Sequence, residues 1–184
     1  PGGGGRMTPA PPGRTTAGVA LALSLMAASP GAAAVLTVPG AFATPQLCGA
    51  AAQPGDVCLV SAGSYAQLTV ARSGVVFRAA PGARPRVAGV ELTGRVQVVI
   101  DGFEIAGRVR CSSGCANISV VNSVLDGGGI WLVADDVLVS DNRFTNQTTD
   151  MVNQFGVRWV VRNNKVYDQA DAGDVHMDFH QSYC

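Results

Sequence analysis

A pattern of about twenty residues recurs between Val96 and Val166, and it restricts the fold more than any other feature of the chain. Val98, Ile118, Val137 and Trp159 open successive copies, and Ile100, Val120, Val139 and Val161 follow two residues later. Next come the turn formers Gly102, Asn122, Asp141 and Asn163, and then the apolar set Ile105, Leu125, Phe144 and Val166. Each copy contains short period-two runs separated by Gly, Asn or Asp, which is how short strands joined by tight corners read. Helical repeats need about 33 to 47 residues, and the Leu and Asn framework of leucine-rich repeats is absent. The pattern therefore predicts an all-β parallel β-helix with one coil per repeat. Aligned residues then lie about 4.8 Å apart along the axis, and the apolar columns fill a narrow interior. The Asn122, Asp141 and Asn163 column has two readings: side chains hydrogen-bonded up and down a ladder, or ordinary turn residues.

The start of the chain has a different character. Pro1 to Arg6 carry no structural pattern. Arg14, the apolar run Ala17 to Ala28, the breaker Ser29-Pro30-Gly31 and the small residues Ala32-Ala33-Ala34 then follow in the order of a cleaved export signal. The apolar run is short of the roughly 20 residues that span a bilayer. Residues 1–34 are thus read as an unstructured start and signal peptide, with cleavage near Ala34 or, alternatively, after Ala41-Phe42-Ala43. No membrane span is expected after cleavage. The remaining residues 35–184 read as one domain of roughly seven coils, with a secreted or cell-surface location. Formal net charge is zero, which argues against a nucleic-acid partner. Charge is unevenly spread: Val35 to Arg110 holds seven Arg against four acids, and Cys111 to Cys184 holds four bases against nine Asp. That difference directs attention to the acidic second half.

Val35 to Val38 reads as a first strand. Thr44 can cap a short helix with Pro45 at its first position and the run to Ala52 behind it. Such a helix would close the open end of a β-helix and block edge-to-edge association. The run from Val38-Pro39 through Phe42-Ala43-Thr44, Ala50 to Asp56 and Val60 to Tyr65 resembles the N-terminal cap and first coil of secreted proteins of the pectate-lyase-like superfamily. The resemblance implies a right-handed, single-stranded parallel β-helix with a short N-terminal capping helix. Members are lyases, glycoside hydrolases, uronate epimerases, phage spikes or adhesins, so the fold does not choose an activity. The arginine or lysine expected at the centre of many such lyases has no evident match in this sequence.

Five cysteines in an exported chain suggest disulfides. Cys48 on the helix and Cys58 on the next strand would staple cap to barrel, and Cys111 with Cys115 would close a corner. The alternative is that all are reduced and buried. Cys184 is left over, which together with the unfinished last coil reads as a C-terminally incomplete domain.

The chemistry is expected near the end of the chain. Strand alternation over residues 175–180 sends Val175, Met177 and Phe179 to the core and displays His176, Asp178 and His180 outside. A His beside a carboxylate can act as acid or base near neutral pH. The plain alternative is a solvated strand face. Asp168, Asp171 and Asp174 offer hard oxygen ligands suited to Ca²⁺, or else form a solvated acidic loop. Trp131, between inward-looking Ile130 and Leu132, is a candidate platform for a sugar ring, and Gln181 a candidate substrate contact. Trp159 falls in an apolar column and reads as core.

These residues suggest a protein that binds an extended, acidic polysaccharide. Were it a lyase, His176 or His180 would be the base, Asp178 its orienting partner, and Ca²⁺ the cation neutralising a uronate. Hydrolysis would need a carboxylate pair, for which Asp174 and Asp178 are the candidates; uronate epimerisation is a further alternative. The reading from another class is a non-catalytic surface or adhesive β-solenoid.

Overall fold

The computed structural model describes residues 1–4, 32–167 and 178–183. The chain forms two compact units, Pro1–Gly31 and Ala32–Cys184. The four described residues of the first are exposed and without regular structure. In the second the order is β1 (Val35–Val38), α1 (Pro45–Ala51), β2 (Val57–Val60), β3 (Ser64–Tyr65), β4 (Leu68–Thr69), β5 (Val76–Ala79), β6 (Arg86–Val87), β7 (Val90–Glu91) and β8 (Val96–Asp101). Then come β9 (Glu104–Ile105), β10 (Val109–Val121), β11 (Val124–Asp126), β12 (Ile130–Ser140), β13 (Arg143–Thr145), β14 (Val152–Phe155), β15 (Trp159–Arg162), β16 (Lys165–Tyr167) and β17 (His180–Tyr183).

Every strand pairing is parallel and joins one coil to the next, which defines a parallel β-solenoid of about 6 turns. Three faces run along it. The first stacks β1, β2, β5, β8, the second halves of β10 and β12, and β15. The second stacks β3, β6, β9, β11, β13 and β16. The third stacks β4, β7, the first halves of β10 and β12, β14 and β17. Among the described residues the first face carries seven strands and the other two six each, close to the roughly seven coils expected.

Three of the four columns read from the sequence are registers of the sheets. Val98, Ile118, Val137 and Trp159 stack in order, as do Ile100, Val120, Val139 and Val161. Ile105, Leu125, Phe144 and Val166 stack on the second face. Ile100, Ile105, Ile118, Val120, Leu125, Val139 and Phe144 are fully buried. A continuous apolar interior is the main driving force for the fold, since no single coil can bury its own inner face.

The corners explain the polar residues between columns. Gly102, Asn122, Asp141 and Asn163 lie in the left-handed region, with φ of 83°, 52°, 59° and 55°, which is turn chemistry, and Asn122 Nδ2 also donates to Asp101 Oδ1 of the neighbouring coil at 2.9 Å. The interior ladder runs one residue later, through Ser123, Asn142 and Asn164. Asn142 is 2% exposed; its Nδ2 donates to the Val120 carbonyl at 2.8 Å and its Oδ1 accepts from the Ser123 N–H at 3.0 Å. Asn164 Oδ1 accepts from the Asn142 N–H at 3.0 Å, and Asn164 Nδ2 donates to the Val139 carbonyl at 2.9 Å. These amides satisfy backbone groups that the turn removes from the strand ladders.

At the N-terminal end, Thr44 Oγ1 accepts from the Leu47 N–H at 3.2 Å and caps α1 as the sequence predicts. A Cβ on Gly49 would come within 2.5 Å of the Phe77 ring, so the helix lies close on the core. The disulfide Cys48–Cys58 ties α1 to β2 across a Cα separation of 6.0 Å. The second disulfide, Cys111–Cys115, lies inside β10 where that strand turns from the third face to the first. Register with β12 shifts between the two cysteines, and the bridge closes this bulge. Cys184 lies outside the described residues.

Asp56 joins the cap to the first coil. Its Oδ2 accepts from the Gln53 N–H at 2.7 Å and its Oδ1 from the Ala34 N–H at 2.8 Å. Cleavage after Ala43 would remove both Ala34 and β1, whereas cleavage after Ala34 would remove the Ala34 N–H and leave β1 paired with β2.

Asn142→Ala should lower unfolding free energy by about 2 to 4 kcal/mol, because it leaves buried backbone groups without partners. Asn122→Gly should stay within about 0.5 kcal/mol, since glycine accepts the left-handed corner. Urea titration of both variants checks the pair. The Gln53 and Ala34 N–H groups hold the Asp56 carboxyl below its ordinary pKa. Its stabilisation is therefore complete above the unfolded-state value of about 3.9 and is lost as pH falls through the lower folded value. Melting temperature should fall more steeply below about pH 4 in the parent than in Asp56→Asn.

Candidate functional site

Strand alternation on the third face places one outward row in register from coil to coil: Thr69, Glu91, Arg110, Trp131, Asn153 and Gln181. Ile130 and Leu132 on either side of Trp131 are fully buried, so the indole projects outward as the sequence suggests. Beside this row stands a second, Val133, Phe155 and Tyr183.

The two rows are linked through their rings. The Arg110 guanidinium lies 5.7 Å from the Trp131 ring centroid, within cation–π range. Trp131 and Phe155 are 5.1 Å apart at 54°, and Phe155 and Tyr183 are stacked at 4.5 Å and 5°. Tyr183 Oη donates to Gln181 Oε1, and Gln181 Nε2 donates to Asp178 Oδ2 at 2.8 Å. Further along the same face Thr93 Oγ1 contacts both Glu91 and Ser112, the latter at 3.1 Å. The face therefore offers hydroxyls, amides, a cation and aromatic edges along one line.

A groove of about 450 Å³ borders this line at the corner toward the first face, lined by Cys115, Val133, Ala134, Asp135, Phe155, Gly156 and Tyr183. Gly156 has φ of 140°, and a Cβ there would overlap the Ala134 carbonyl oxygen. Only glycine lets the groove floor lie so close to the coil beneath it. Beyond the floor, Arg158 Nη2 donates to Asp136 Oδ2 at 2.8 Å and lies 3.7 Å from Asp135. The Arg158 guanidinium holds the Asp136 carboxyl below its usual range, and Asp136 in turn raises Arg158.

The histidine strand differs from its expected alternation. β17 begins at His180, which is in register with Val152 and, through it, with Ile130, both fully buried. His180 thus occupies the core-facing row rather than the outer face. Its side chain is exposed, with Nε2 2.8 Å from Gln154 Oε1. The reason lies in the corner that precedes the strand. There the adjacent residues Met151 and Val152 both point inward, so alternation restarts, and in the next coil Phe179 and His180 hold the same two positions. Phe179 accordingly packs edge-on against core Phe144 at 5.8 Å. Asp178 donates its N–H to Asp150 Oδ1 at 2.8 Å as well as accepting from Gln181. His176, Asp168, Asp171 and Asp174 lie outside the described residues. Among the described residues no group of three or more His, Cys, Asp or Glu is arranged to hold a metal ion.

Trp131 and Gln181, the two expected sugar contacts, stand in the same outward row, and Asp178 touches Gln181. Trp159 packs against the core with its Nε1 donating to the Ala134 carbonyl at 2.8 Å. Sequence reading missed Arg110, Asn153, Phe155 and Tyr183. The signal was available: the step from Ile130–Val133 to Val152–Phe155 is another coil length, but the third face varies in side-chain type and shows no repeating apolar outer motif.

The molecule is a parallel β-solenoid with a mixed aromatic and polar outer row on its third face. No family model matches the chain, and neither a curated protein nor a solved structure matches it. Among the described residues no helix is long and apolar enough to cross a membrane.

The ring stack should be energetically coupled. A double-mutant cycle between Trp131→Ala and Phe155→Leu, read by urea unfolding, should give a coupling of about 0.5 to 1.5 kcal/mol.

Proposed function

We propose that this chain is a secreted, carbohydrate-binding β-solenoid of the pectate-lyase-like kind, its coils right-handed as parallel crossovers almost always are. The third face would engage an extended, acidic polysaccharide. The observation that carries this reading is the registered row Arg110, Trp131, Asn153 and Gln181. Its members repeat at strand spacing, about 4.8 Å, a rise comparable with that of one sugar unit in an extended chain. Aromatic rings bind the apolar faces of sugars, and amides bind their hydroxyls. Arg110 adds a cation for a uronate carboxylate. Secretion is supported by the order of charged, apolar and small residues from Arg14 to Ala34 and by the two disulfides.

Binding is the leading reading, because the registered row supplies sugar contacts whether or not a reaction follows. A lyase step remains the second reading on one observation, the Asp178 carboxylate at the end of the row in contact with Gln181.

Affinity for polygalacturonate, measured by isothermal titration, should fall about tenfold in Trp131→Ala, equivalent to about 1.4 kcal/mol. It should be unchanged in Val160→Thr on the first face. Equal affinity in parent and Trp131→Ala would overturn the third-face reading. Absorbance near 235 nm, followed with and without Ca²⁺, separates the two activity classes. A steady rise that His180→Ala removes identifies a lyase, a flat trace with new reducing ends identifies a hydrolase, and a flat trace without them identifies a binding protein.

A further inference from the structure

On the second face the outward row reads Ser64, Arg86, Glu104, Val124, Arg143 and Lys165 in register. Its first half is electrostatically matched. Arg86 is paired with Glu104 and, at 3.3 Å, with Asp126. The second half is not: Arg143 and Lys165 stand on adjacent coils, and beneath Arg143 the row has Val124 in place of an acid. Neither cation makes an ion pair among the described residues. Like charges directly opposite on paired strands destabilise the sheet, so an oxyanion seated between them would relieve a repulsion built into the fold.

The surroundings suit such a guest. The Arg143 guanidinium lies 4.2 Å from the Tyr167 ring centroid, which orients the planar group and leaves N–H donors for a ligand. A recess of about 300 Å³ is lined by Asp141, Asn142, Arg143, Asn163, Lys165 and Tyr167. Asn142 is committed to the interior ladder. Asp141 stands at the corner end, so the oxyanion belongs toward Tyr167. Asp126, two coils below Tyr167 in its row, is occupied by Arg86 and Asn146.

We infer that Arg143, Lys165 and Tyr167 form a second binding site, separate from the third-face row, that takes one acidic group of a polysaccharide, a carboxylate or a sulfate. It rests on a charge pair without an ion-pair partner among the described residues and not on the aromatic row; the polysaccharide itself is taken from the proposed function.

Lys165 is the only lysine in the chain, which gives the site its own reporter. Reductive ¹³C-methylation of the full chain keeps the charge and yields one lysine resonance besides the N-terminal amine. That resonance should shift saturably with polygalacturonate if the group is a carboxylate, or with dextran sulfate if it is a sulfate, and not with neutral dextran. Arg143→Gln should weaken the response at least about tenfold, the value of one charge-assisted hydrogen bond. No shift with either acidic polymer, an equal shift with neutral dextran, or a response unaffected by Arg143→Gln would each overturn the inference. Failure of the third-face reading shows separately, as polymer affinity insensitive to Trp131→Ala.

Discussion

Everything in this molecule depends on coil-to-coil stacking. Each coil is too short to enclose a core of its own, and its strands, most of two to six residues, would not persist alone. Stacked in register, each strand shares its hydrogen bonds with the coils above and below, and each inward side chain packs on its equivalents. Stability is consequently distributed along columns. A change at one rung is felt first by the two rungs beside it, and the ends of the stack are the places where protection is needed. At the N-terminal end that protection is α1, held by Cys48–Cys58 and by the fit of Gly49 against Phe77.

Stacking explains the corners as well. A tight turn between faces takes backbone groups out of the parallel ladders, and buried groups must find partners. Two devices operate together. A residue in the left-handed region reverses the chain, as at Asn122, Asp141 and Asn163. The next side chain enters the interior and bonds to the backbone of a neighbouring coil, as Asn142 does with Val120 and Ser123. Asn-rich pairs such as Asp141-Asn142 and Asn163-Asn164 thus divide two tasks that composition alone does not separate.

This division marks how far sequence can be read. The apolar columns were legible because hydrophobic burial repeats with the coil, and the cap was legible because Thr44-Pro45 states a helix start locally. Both disulfide pairings followed from spacing along the path. The interior ladder was displaced by one residue because period-two reasoning applies within a strand and gives no phase across a corner. The register of His180 was hidden for the same reason, although its side chain is exposed: Met151 and Val152, consecutive and both buried, show that the phase restarts at that corner. The outer row of the third face was only partly legible, through Trp131 and Gln181, since function has no reason to repeat with the coil.

That contrast separates scaffold from site. On the first face the outward row Val57, Val76, Val99, Ser119, Leu138 and Val160 is aliphatic at every rung but Ser119, as expected where neighbouring aliphatic side chains shield one another. On the third face the equivalent row changes from acid to cation to indole to amide within successive coils. Its members differ in chemistry, and beyond the Arg110–Trp131 contact that difference is not what stacking of like side chains along a column produces. The second face shows the same logic within one row. Arg86 is balanced by acids of its own scaffold, while Arg143 and Lys165, in the same register, make no ion pair among the described residues.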